Sequence, residues 1–456
     1  MSVHSPTPVQ PAAERSTRPA SVGGLQALAL RLHFYAGVLI APFLLVAAVT
    51  GLLYACSWQA EKIIYADRLA VPVSGDRLPV QRQVDAARAA KPTATVLAVR
   101  PSVEDGATTR VLMDAPGLGE SERLAVYVDP YKGEVKGELV VYGGSEATPF
   151  RAWISQLHRH LHLGEPGRYY SETAASWLWV VVLAGLVLWI SRTRRRRRDL
   201  AVPDLKAKGR KRTLSLHGTV GIWAAVGFLF LSATGLTWSA NAGKRVDVLQ
   251  TKLNGVTPTL SGTTTAHHGS AAGDGHDHAS SVDLDAILAS ADLDGRVEAV
   301  YPAKADDAFV VKQTDRAWPI RQDSKALDPT TGEVLDTLRF ADHPPLAKLT
   351  AIGISAHMGA LFGLANQILL ALLALSLIVL IVLGYRMWWR RGRHGFGRPI
   401  PRGAWRGAPR RLLALLAAGA LFAAWLIPLF GCTLFAFLLI DAVVGAIKKR
   451  GARVDG

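Results

Sequence analysis

The sequence predicts a membrane α-helical bundle of four core spans plus a C-terminal hydrophobic hairpin, with two small α+β modules outside the membrane and an internal tandem repeat. Three observations lead there. Long apolar blocks contain no Asp, Glu, Lys or Arg: 32–60, 173–191, 213–243 and 349–385. Landmark residues recur at fixed spacings in the two halves of the chain. Arg and Lys cluster beside these blocks and give the 456-residue chain a net charge of +16.

About twenty apolar residues cross the hydrocarbon core as a helix. A disordered cytoplasmic tail is expected over 1–24, where Pro, Ser and Ala mix, and a first span over 25–56. Its apolar run is too long for a cleavable signal peptide. The first outside module follows at 57–157, then the second span with its lead-in at 158–191. The loop 192–213 is basic, with Arg192, 194–198, Lys206, Lys208 and 210–212. The third span is 214–240, and 241–350 is the second module, with a His-rich insert at 266–279. The fourth span is 351–387 and a second basic loop is 388–410. The block 411–447 is apolar but interrupted at Pro428 and Gly431, which suits a hairpin.

Basic runs abutting spans mark the cytoplasmic side. Both termini are therefore expected inside and both modules outside, and the basic runs predict lipid contact and no nucleic acid. The two cysteines, Cys56 and Cys432, allow no disulfide framework.

The repeat is seen in the landmarks. His33 precedes Thr50-Gly51 by the same distance as His217 precedes Thr234-Gly235. His158, Gly164 and Trp189 keep the spacing of His357, Gly363 and Trp388. In the modules, Asp129-Pro130 and Asp328-Pro329 each open a β-hairpin signal 29 residues before a histidine (158 − 129; 357 − 328). Upstream, 80–90 and 282–291 read as short helices, and 95–99 and 297–301 as strands. Several landmarks at matched spacing mean two copies of one unit.

Histidine at the edge of a span is costly and calls for a reason. His33 and His217 begin in-to-out spans, whereas His158 and His357 precede out-to-in spans. A four-helix bundle can set each pair on facing helices. Paired imidazoles are the axial ligands of electron-transfer haems, with no position left for substrate. The expectation is two b-type haems, an inner one on His33 and His217 and an outer one on His158 and His357. The competing account is interfacial histidines bonded to headgroups or backbone. His162, at i+4 from His158, is an alternative outer ligand or a propionate partner. Arg159 and Arg168 suit propionates or headgroups. In the insert, His267, His268, His276 and His278 lie in a Gly/Ser-rich tract, a composition that gathers transition metals or is only a flexible loop.

The chain resembles the PepSY-associated transmembrane family of bacterial inner-membrane proteins, which includes iron-regulated membrane proteins and siderophore-iron reductases. The resemblance rests on Leu32-His33 with Gly37, Leu157-His158-Arg159 with Leu163-Gly164-Glu165, Leu216-His217-Gly218, and the paired Asp-Pro-x-x-Gly-Glu hairpins, and it covers about 25–390. It implies PepSY-type periplasmic modules and, in the reductase members, b-type haems between the helices. The segment 355–359, Ser-Ala-His-Met-Gly, and the His-rich insert depart from the pattern.

No Gly-rich nucleotide loop, Gly-x-Ser-x-Gly or His-Glu-x-x-His is present. The cytoplasmic loops are too short for a flavin or NAD(P)H domain, so a cytoplasmic or quinol electron donor must come from elsewhere. The expected function is a transmembrane ferric reductase whose acceptor, by the resemblance, is a periplasmic ferric siderophore or metal chelate. The alternatives are a non-enzymatic protein whose modules bind peptide or a partner, and a component of a metal or siderophore transporter.

Overall fold

The computed structural model describes residues 20–193, 198–260, 283–304, 307–390 and 408–454. Its helices in the first half are α1 (Ala20–Leu39), α2 (Ala41–Ile64), α3 (Ala66–Leu69), α4 (Val80–Ala90), α5 (Pro149–His160) and α6 (Glu165–Thr193). After α7 (Arg198–Ala201) come α8 (Gly209–Thr237), α9 (Ala242–Lys252), α10 (Leu284–Ala291), α11 (Pro345–His357) and α12 (Gly363–Trp389). The chain closes with α13 (Arg410–Leu426) and α14 (Pro428–Val454).

Among the described residues, five helices are long and apolar enough to cross a membrane: α2, α6, α8, α12 and the Pro428–Ile447 part of α14. The protein is thus a multi-pass membrane protein. α13, at 17 residues, is shorter. It meets α14 at Ile427, where Gly431 lets the second helix press on Ala424, so the block interrupted at Pro428 does fold back on itself. α6 packs against α1 and α8, and α12 against α2 and α8. Leu44, Trp177, Leu178 and Phe228 fill the space among them.

The ends of these spans differ from the sequence expectation. The first span is broken at Ile40, because Pro42 supplies no N–H to the carbonyl of Val38. The Tyr385 hydroxyl of α12 donates to that carbonyl at 2.9 Å, as a backbone group inside a membrane requires. Residues 20–24 of the expected tail are helical, and the rest of that tail lies outside the described residues. His158 lies in the last turn of one separate short helix, α5, and His357 ends another, α11. The chain then turns at Gly164 (φ 64°) and Gly363 (φ 55°) to start α6 and α12. These positive φ values favour glycine and account for both landmarks.

Outside the bundle is one eight-stranded antiparallel sheet where two modules were expected. Its strands are β1 (Thr95–Arg100), β2 (Thr109–Asp114), β3 (Glu122–Val128), β4 (Val135–Tyr142), β5 (Val297–Val300), β6 (Phe309–Gln313), β7 (Ser324–Leu327) and β8 (Val334–Leu338). The order is β4-β3-β2-β1-β5-β6-β7-β8. Each half is a meander, and the halves join where Ala98 pairs with Val300 and Val99 with Ala299. α4 and α10 bury Val84 and Ile287 against one face, along with Val99, Val111 and Phe309. Complete burial of each such side chain is worth roughly 1.5–3 kcal/mol. The halves also share a cap: the Asp285 carboxylate of α10 accepts from the backbone N–H of Val80 (2.7 Å) and Gln81 (3.0 Å) at the start of α4.

Candidate functional site

Each of the four span-edge histidines is seated in the same manner, against a glycine of a neighbouring helix. An added Cβ would meet the Cε1 of His33 at 2.9 Å from Gly185, of His158 at 3.3 Å from Gly51, of His217 at 3.8 Å from Gly384 and of His357 at 3.7 Å from Gly235. The pattern obeys the sequence repeat. Gly51 and Gly235 belong to the Thr-Gly landmarks, and Gly185 and Gly384 are 199 residues apart, as His158 and His357 are (384 − 185; 357 − 158). Thr-Gly was legible as spacing, and the two α6 and α12 glycines were missed. A glycine within an apolar helix is silent in one sequence until its neighbour is known.

Hydrogen bonds then orient the rings. Thr50 Oγ1 donates to Val46 O at 2.8 Å, its own helix's i−4 carbonyl, and lies 2.8 Å from His158 Nδ1. In the other half Thr234 Oγ1 donates to Phe230 O at 2.8 Å and lies 2.6 Å from His357 Nδ1. His33 Nδ1 lies 2.8 Å from Val181 O, which is only an acceptor. At His33 the carbonyl fixes the proton on Nδ1 and leaves Nε2 a free lone pair, and a threonine that keeps its proton on its own helix carbonyl sets the same tautomer at His158 and His357. His217 breaks the pattern. Its Nδ1 is buried without a hydrogen bond, although Leu380 O, the counterpart of Val181 O, stands beside the ring.

The inner pair meets directly: the His33 and His217 ring centroids are 6.0 Å apart with planes at 79°. At that separation both rings could ligate one metal through nitrogen. His158 and His357 lie within electrostatic reach of one another at the other end of the bundle, where Trp238 also edges His357 at 5.7 Å. Along α8, Thr234 lies 17 residues beyond His217 (234 − 217), about 26 Å at the helical rise. The two pairs are thus separated by nearly the thickness of the hydrocarbon core.

Among the described residues no group of three or more His, Cys, Asp or Glu is gathered to hold a metal ion. Two imidazoles at each site, three of the four with a partner at Nδ1 and all with rings lodged on glycine, fit haem iron, whose other ligands come from the porphyrin.

The remaining sequence candidates fall elsewhere. α5 ends at His160, and Leu161 and His162 both take φ 54°, which breaks the i, i+4 face that would have aligned His162 with His158. His162 is exposed, stacks on Trp153 at 4.9 Å and lies with its Nε2 3.0 Å from Trp153 O. Arg159 is exposed, with Tyr142 Oη 3.4 Å from its guanidinium. Arg168 pairs with Glu165 at 3.2 Å. His267, His268, His276 and His278 lie outside the described residues.

A polar cluster that sequence reasoning missed joins the outer pair to the sheet. Glu61 of α2 accepts from Thr148 (2.8 Å), the residue just before α5, and from Arg151 (2.9 Å) of α5. Arg151 lies 4.1 Å over the Trp58 ring, and Trp58 Nε1 donates to Met358 O at 2.9 Å. Met358, next to His357, receives Arg316 Nη1 at 3.5 Å on its sulfur. Arg316 lies in the β6–β7 connection. Burial, and then the neighbouring Arg100, hold its guanidinium below the ordinary value.

These features define a multi-pass helical membrane protein with histidines paired at both ends of its bundle and one sheet outside it. The chain belongs to the PepSY-associated TM region family, whose profile matches residues 30–391. A search of curated proteins finds no match.

Proposed function

We propose that this protein is a haem-holding electron carrier of the bacterial inner membrane that reduces an acceptor on the outer face, with ferric siderophore iron as the foremost candidate. The single observation that supports the reading is the shared seat of Nδ1: in three of the four histidines that nitrogen lies on a carbonyl or on a threonine hydroxyl that also meets its own helix carbonyl, which turns Nε2 toward a ligand's role. Interfacial histidines that met headgroups would not need their inner nitrogen set in the same way in two halves of a repeat. Haem, when bound, would supply a reversible one-electron couple. His33 and His217 would hold one group and His158 and His357 the other, so that the chain bridges the bilayer. The repeat itself is part of the proposal: two units, each a helix, half of the sheet, and a short helix turning into a second span. The sheet lies beside the outer pair, where an acceptor must dock. With both axial positions filled, transfer to it would be outer-sphere.

Anaerobic stopped-flow at the Soret band tests this. Dithionite-reduced protein should be reoxidised by a ferric siderophore, and His357→Ala should abolish that phase. Haem that remains reduced with every ferric chelate, yet oxidises with Cu(II) or a protein partner, would remove the siderophore assignment and leave the electron carrier.

A further inference from the structure

The underside of the sheet at the β1–β5 seam carries more positive than negative charge. Arg100 reaches two buried carboxylates, Glu146 (2.7 Å) and Glu298 (2.6 Å). Those same carboxylates are shared with Arg110 (3.4 Å), Lys312 (3.0 Å) and Arg123 (4.0 Å). Glu61 is taken by Arg151. Three carboxylates therefore serve five cations before Arg316 is counted.

Arg316 has no ion pair among the described residues. It is half-buried, and its contacts are neutral: Met358 Sδ and Gly144 O, each at 3.5 Å. Arg100 approaches the same Gly144 carbonyl at 3.5 Å, so two guanidinium groups converge on one oxygen. Arg151, which is 3% exposed, adds a buried Nη1 with no hydrogen-bond partner. A partly desolvated cation beside other cations, with no anion of its own, is unfavourable. An arriving carboxylate would relieve that cost, and guanidinium is the group that binds carboxylate in two-pronged fashion.

The geometry points to a carboxylate-binding site formed by Arg316 with Arg100 and Arg151, between the sheet seam and the turn that follows His357. Two sources have this chemistry: a propionate of a haem held by the outer histidines, or a carboxylate of an incoming chelate. As a place for either, the site rests on the function proposed above. As an anion site, it rests on the charge arrangement alone.

Full-length protein in detergent, titrated with citrate by calorimetry, provides the test, alongside a redox titration of the same samples. If the carboxylate comes from a chelate, Arg316→Gln should bind citrate about tenfold more weakly, with haem content and potential unchanged. If it comes from a propionate, Arg316→Gln should lower the midpoint potential of one haem and leave any citrate binding unchanged. In either arm Arg316→Lys should recover part of the effect, which separates lost charge from misfolding. Equal citrate affinity together with equal potentials in wild type and Arg316→Gln overturns the proposal. Haem content is measured independently: protein without haem would sink the proposed function while the citrate arm still decides on Arg316.

Discussion

At Thr50 and Thr234 one hydroxyl serves two partners, a carbonyl of its own helix and an imidazole of another. A hydrogen bond at Nδ1 makes the opposite nitrogen a more basic ligand, which favours the oxidised metal. Thr50→Val should therefore raise the midpoint potential of one haem and Thr50→Ser should not, as a redox titration would reveal. An unchanged potential in the valine variant would mean that the hydroxyl only packs. Gly185 gives a steric counterpart. An alanine there places a methyl 2.9 Å from His33 Cε1, whereas Gly37 has nothing within 4 Å of the equivalent position. Gly185→Ala should lower haem content and Gly37→Ala should leave it intact, judged by the pyridine haemochrome. At this scale the four histidines and both Thr-Gly pairs were legible because spacing survives in one dimension. Val181, Gly185 and Arg316 were not, because their roles come from neighbours in other helices.

The elements divide in the same way. Spans were legible from their charge-free length, and α4 and β1 from local pattern. The β1–β5 seam was not. It pairs residues about two hundred apart with no turn between them, and each strand alone reads as a module edge. The separation of α5 from α6 and α11 from α12 depends on single positive-φ turns that apolar content does not reveal. The seam has a pH signature. Burial works to raise the Glu298 carboxyl, but Lys312 and Arg100 outweigh it and bring the group to about 2, below its ordinary 4.5. A depressed carboxylate contributes stability that is present above the unfolded value and is lost as pH falls toward the folded one. Unfolding of wild type should therefore become easier between pH 4.5 and 2, and Glu298→Gln should flatten that limb while lowering stability at neutral pH. Circular dichroism in the β region during thermal melts would reveal an acid limb equally steep in both proteins, which would remove Glu298 from the seam's stability. On the membrane side, Tyr385→Phe frees the Val38 carbonyl at the α1–α2 break and should cost about 1–3 kcal/mol in denaturant titrations of the detergent-solubilised protein.

For the whole molecule, the charge pattern predicts the sheet outside and the basic loops inside. A reporter fused after Gly144 should behave as exported and one after Arg198 as cytoplasmic. A cytoplasmic signal at Gly144 would invert the orientation and with it the proposed direction of electron flow. The bundle was legible as a membrane protein, but its C-terminal hairpin was not legible as a docked element. Buried Arg31 of α1 pairs with Asp441 of α14 at 2.7 Å, and Trp177 of α6 donates to Thr433 at 2.8 Å, links that join residues from opposite ends of the chain. All of this serves one claim, that two histidine pairs hold haem at two depths of the membrane. Haem stoichiometry of the purified protein and its four single histidine variants tests that claim most directly. The account predicts two low-spin b-type haems in the wild type. His33→Ala and His217→Ala should each lose the same one, and His158→Ala and His357→Ala the other, with the survivor distinguished by its spectrum and potential. Full haem content in all four variants, or none in the wild type, would contradict it.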